Sequence, residues 1–139
     1  MYRRDYVLRL IERFGRALIA LRNRILGRAI DTADMRAELR EIVDLAGLNL
    51  DLARSLDERM LLMWLAPAGD IDPSRCWLLA ELLYLEGLQS HETGVGDRGR
   101  ADLGRAHAVF SQLPAEWRPA EGLATAGERT QEIGALLGR

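Results

Sequence analysis

Residues 72–90 constrain this chain more than any other stretch. Asp72 offers a side-chain cap, Pro73 takes the first helical position with its fixed φ, and Ile71 precedes the cap where it can staple the helix start. The run that follows carries Trp77, Leu78, Leu79, Ala80, Leu82, Leu83, Leu85 and Leu88, so apolar side chains occupy much of a helix circumference. A helix of that kind is stable in water only with neighbours on at least two sides. The remainder of the chain has to supply them.

The nearest neighbour follows in sequence. The turn Thr93-Gly94-Val95-Gly96-Asp97 leads into a second helix from about Arg98 to Gln112, where Ala101, Gly104, Ala106 and Ala108 recur at small-residue spacing, and Pro114 closes it. A connection this short makes residues 72–114 an antiparallel helix hairpin. With 139 residues, four prolines and few β-branched side chains, the chain reads as a single all-α domain over 1–139. The expected architecture is a helical bundle or short right-handed solenoid.

Around the hairpin the reading is as follows. Residues 1–30 form a long basic amphipathic helix, with Tyr2, Tyr6, Leu10, Phe14, Leu18, Leu21 and Ile25 on its apolar stripe; Gly15 on that stripe marks a close approach to another helix. Residues 31–69 form a helical connecting region: a helix capped by Asp31 or Thr32 and ended by Gly47, a short apolar connection over 50–55, and a helix from Leu56 to Leu65 opened by a Ser55/Glu58 capping box. Residues 118–137 form a terminal capping helix, weakened by Gly122, Gly127 and Gly134.

Charge is unevenly placed. Residues 1–30 hold eight arginines and two acids, a balance of +6, whereas the rest holds eleven arginines against nineteen acids, a balance of −8. Opposed balances of this size can steer the first helix onto an acidic face of the same chain or of a partner, or onto an anionic surface. Arg3, Arg4, Arg9 and Arg13 are the candidate anion contacts. Tyr6, Leu10, Phe14 and Leu18 on the first helix, with Met60 and Trp64 further on, are the candidate apolar contacts, because methionine adapts to varied surfaces and aromatics anchor them.

Two resemblances bear on this reading. Leu79-Ala80-Glu81-Leu82-Leu83-Tyr84-Leu85-Glu86-Gly87, followed by Gly94, Ala101, Ala106, Ala108 and Phe110, resembles one degenerate tetratricopeptide-like helix pair, without a second copy at a 34-residue period. Tyr2 to Glu12, Gly47 to Asp51 and Leu78 to Leu83 together resemble a bacterial family of small, uncharacterised cytosolic helical proteins with an N-terminal Arg-Asp-Tyr segment and a tetratricopeptide-like C-terminal half. These resemblances imply fold and a cytoplasmic setting, and carry no catalytic residue across.

Chemistry finds little purchase. Cys76 is the only cysteine, so neither an internal disulfide nor a CxxC pair can form. His91, Glu92, Asp97 and His107 lack metal-ligand spacing. Gly94, Gly96 and Gly99 match GxGxxG, but a helix precedes them where dinucleotide binding needs a strand, so they read as turn glycines. Glu81 and Glu86 lie on or near the apolar helix, and one of them is expected to be partly buried beside an arginine, a pair that fixes packing without catalysing anything. The expectation is a non-enzymatic protein-interaction or scaffold module with no cofactor, no transmembrane segment and itself as a possible homodimeric partner, associating through the apolar stripe of its N-terminal helix; the alternative is nucleic-acid or anionic-membrane binding through the arginine-rich helix.

Overall fold

The computed structural model describes residues 2–138, with side chains described from Tyr6 onward. Seven helices follow one another, and no strand occurs among the described residues. They are α1 (Tyr2–Leu26), α2 (Thr32–Ala46), α3 (Leu50–Ser55), α4 (Glu58–Leu65), α5 (Pro73–Glu92), α6 (Gly96–Phe110) and α7 (Ala126–Leu136). The architecture is an all-α bundle.

α5 is its axis. Every residue from Cys76 to Gln89 is buried, four full turns with no solvent-facing side. Its most extensive packing is on α6, then on α1, with α2 and α3 also in contact. Direction follows from paired positions. Tyr6 shares a cleft with Arg75, Arg22 meets Tyr84, and Gln89 reaches the carbonyl of Ile30, so α1 runs parallel to α5. α2 returns along α1, α6 runs back along α5, and α7 runs parallel to α5, pairing Arg129 with Glu81 and Glu132 with Tyr84.

The caps explain most boundaries. Asp31 accepts from the Asp34 amide at 2.8 Å, and Gly47 ends α2 at φ 64°. Asp72 caps α5 with Pro73 behind it. Three boundaries differ from expectation. Residues 50–55 are helix, capped by Asn49; α4 is capped by Asp57, while the Ser55 hydroxyl donates to the Leu52 carbonyl instead. Residues 118–125 are not helical, because the left-handed Gly122 (φ 89°) interrupts them and Thr125 with Glu128 forms the capping box that starts α7.

The glycines also divide differently. Gly94 makes the α5–α6 turn at φ 80°, but Gly96 opens α6 and Gly99 lies inside it. A Cβ on Gly99 would stand 2.8 Å from Ser90 Cβ and 3.1 Å from the Gly87 carbonyl oxygen, and one on Gly87 would stand 2.7 Å from Leu103 Cγ. The two helices therefore touch backbone to backbone. Gly15 is buried beneath Leu123 at 3.5 Å, so its neighbour is the segment before α7, not a helix.

Candidate interaction cleft

The charged residues fall into two groups, and the first is spent on the fold. On α5, Glu81 accepts both prongs of the Arg129 guanidinium, from Nε at 2.8 Å and Nη2 at 2.7 Å. Arg129 also reaches Glu132 at 3.0 Å and lies over the Tyr84 ring, 4.4 Å from its centroid. Tyr84 donates to Glu132, and Arg22 of α1 donates to both, at 2.8 Å to the phenol and 3.1 Å to the carboxylate. One polar knot thus joins α1, α5 and α7.

Five residues along, Glu86 faces Arg36 of α2 at 3.3 Å and Arg54 of α3 at 3.6 Å. Arg54 clasps Asp102 of α6 with contacts of 3.2 and 3.0 Å, and Arg105 joins them while donating to the Leu56 carbonyl at 2.6 Å. Gln89 completes the series by donating to Ile30 and Thr32 where α1 turns into α2. No buried side-chain nitrogen or oxygen among the described residues lacks a partner. Glu81 and Glu86 therefore fix packing beside arginines.

Electrostatics in the knot run toward fixed charge states. Burial pushes the Tyr84 phenol up, as does its hydrogen bond to Glu132. Burial works against the charge on Arg129, yet the Glu81 hydrogen bonds and charge outweigh it and hold the guanidinium firmly protonated. Burial likewise opposes ionisation of Glu132, but hydrogen bonds from Tyr84 and Arg22 prevail and hold its carboxyl below the ordinary range. The open cleft of about 620 Å³ above this knot, flanked by Ile19 and Leu123, has a floor of carboxylates already bonded to arginine. Burial, then the charge of Asp72, pushes the Cys76 thiol up to about 11, so it is no thiolate nucleophile. Among the described residues no three His, Cys, Asp or Glu side chains gather for a metal, and His91 and His107 belong to no such group.

The second group sits at the other end of the molecule. A cleft of about 810 Å³ opens between the start of α1, the end of α2, the end of α4 and the turn before α5. Tyr6, Leu45 and Trp64 line it, with Asp44, Asp70, Asp72 and Arg75. Tyr6 is 47% exposed; Met60 and Met63, one helical turn before and one residue before Trp64, are 48% and 58% exposed. Three aspartates against one arginine give the lining a formal charge of −2. Apolar anchors in an acidic mouth suit a cationic, apolar-bearing polypeptide.

No protein-family model, curated protein or solved structure matches the chain. Its functional reading rests on its own geometry.

The expected contact residues separate on that geometry. Tyr6 and Trp64 line the cleft, whereas Met60 is exposed but not among its lining residues. Leu10 and Leu18 are corrected: they are 4% and 1% exposed, enclosed by the chain's own core because α1 lies along α5, and cannot present a face to another molecule. Phe14 is half-buried against the same core, with Arg13 5.3 Å from its ring centroid. Arg9 and Arg13 are exposed; the side chains of Arg3 and Arg4 lie outside the described residues. Asp44, Leu45 and Asp70 were invisible to sequence reasoning, since nothing in their spacing distinguishes a cleft wall from an ordinary surface. Tyr6 and Trp64, named for their apolar character, were the legible signal.

No helix of the described residues is long and apolar enough to cross a membrane.

Proposed function

We propose that the chain is a non-enzymatic protein-interaction or scaffold module that receives a basic, apolar-bearing polypeptide segment in the cleft lined by Tyr6, Leu45 and Trp64. The reading rests on one observation: the exposed Tyr6 and Leu45 and the half-buried Trp64 line an acidic mouth, while buried polar side chains elsewhere are paired. A photo-crosslinking residue at Met63 tests it in the native cell. A discrete polypeptide adduct that disappears in the D44R/D70R background is expected; absence of any adduct, or one indifferent to those substitutions, overturns it. A cytoplasmic setting agrees with a single buried thiol. The finer fold reading, a tetratricopeptide-like unit within a short solenoid, draws on the Leu79–Phe110 pattern and the antiparallel pairing of α5 and α6, while kinship with small bacterial helical proteins draws only on the Tyr2–Glu12, Gly47–Asp51 and Leu78–Leu83 segments of the sequence.

A second reading is favoured by the basic stripe on α1. Arg9, Arg13 and Arg16 are exposed and make no ion pair among the described residues, so they could engage nucleic acid or an anionic membrane surface. Titration against duplex DNA and anionic vesicles at low salt, with Arg3, Arg4, Arg9 and Arg13 neutralised as control, decides it. No binding by the unaltered chain removes this reading.

A further inference from the structure

The N-terminal half of the basic helix and the acidic cleft lie at the same end of one molecule, yet among the described residues they do not satisfy each other. Along α1 the arginines change character. Arg22 and Arg24, near its C-terminal end, pair within the chain with Glu132 and Glu38. Arg9, Arg13 and Arg16, in its N-terminal half, have no acidic partner among the described residues, and neither have Asp44 and Asp70 in the cleft. Helical spacing puts Tyr6, Arg9 and Arg13 at i, i+3 and i+7 on one exposed stripe, beginning at the cleft wall. Among the described residues, both complementary halves of an ion-paired interface are thus present on one chain and unjoined.

We infer that the occupant of the cleft is a second copy of this chain, paired about a two-fold axis. This rests on the interaction reading above and names its partner. In the pair, the Tyr6–Arg9–Arg13 stripe of each α1 lies across the cleft of the other, so that arginines meet Asp44 and Asp70 while Tyr6 and Trp64 are covered. A self-complementary patch of this kind closes after two copies, because each interaction is made twice by symmetry. The charge balance of +6 before residue 31 and −8 after it supplies the long-range attraction. The core residues Leu10 and Leu18 take no part, which separates this face from association through the apolar stripe.

Charge-swap variants test the pairing on the full chain. Sedimentation velocity over a concentration series is expected to show a reversible dimer that weakens as salt rises. D44R/D70R and R9E/R13E, all at exposed positions, each raise the dissociation constant by about tenfold or more, while circular dichroism stays unchanged. Mixing the two variants restores association as a heterodimer. A monomer at every concentration, a dimer indifferent to both reversals, or a mixture that fails to reassociate each overturns the inference. If the Met63 crosslinker then captures a different basic polypeptide from the cell, the interaction reading stands without the second copy.

Discussion

The two ends of α5 treat charge in opposite ways. From its middle onward, Glu81, Tyr84, Glu86 and Gln89 are buried and met by specific partners: Glu81 and Tyr84 by α7 with α1, Glu86 by α2 and α3, and Gln89 by the α1–α2 turn. Around its N-terminal end, Asp70 is exposed without a partner among the described residues, and apolar Tyr6 and Met63 stand in solvent. The difference teaches where information is stored. Hydrocarbon burial tells α5 to be central but not which helix goes where; the buried polar groups supply that address, because a wrong neighbour would leave a charge unpaired.

Breaking the closed end should have the largest effect. Arg129→Ala leaves Glu81 charged and enclosed, and should cost about 3–5 kcal/mol in chemical denaturation. Replacing both, as Glu81→Leu with Arg129→Met, should recover most of that loss while loosening the specificity of α7 docking, visible as faster amide exchange in Ala126–Leu136. If the double variant is as unstable as the single one, packing and not charge pairing holds α7.

Acid provides a gentler probe of the same knot. Glu132 releases its proton more readily folded than unfolded, so the stability it contributes is complete above the unfolded carboxylate value of about 4.3 and is lost as pH falls through the lower folded value. Thermal melts below that pH should show a declining midpoint, and Glu132→Gln should flatten the decline. The smallest effect belongs to the open end: Met63→Ser or Asp70→Arg should shift stability by within about 0.5 kcal/mol. A larger loss there would mean that the cleft belongs to the fold and would erase the contrast between the ends.

How much was legible follows from the same contrast. The existence of α1, α2, α5 and α6 was readable because apolar periodicity and caps are local: Asp31, Gly47, Asp72 and Pro73 act within a few residues of themselves. The terminal helix was drawn too long because a weak glycine-containing pattern does not reveal the left-handed turn at Gly122. Partial burial of one of Glu81 and Glu86 beside an arginine was foreseen, but not the burial of both nor which arginines, since Arg129 and Arg54 lie 48 and 32 positions away in the chain. The cleft was only glimpsed through Tyr6 and Trp64, because its walls come from four separate segments.

The close contact between Gly87 and Gly99 bears on the order in which this chain assembles. Two helices joined by the three residues Thr93, Gly94 and Val95, which approach closely at Gly87 and Gly99 with Leu103 and Ser90 packed over the glycines, can register with little loop-closure entropy. On that basis the α5–α6 hairpin is expected to serve as the nucleus, with the polar groups on α5 recruiting α1, α2, α3 and α7 afterwards. Gly99→Ala should accordingly slow folding, with the unfolding rate little changed, whereas Arg129→Ala should chiefly speed unfolding. Stopped-flow chevrons on the two variants would read the sequence of assembly directly.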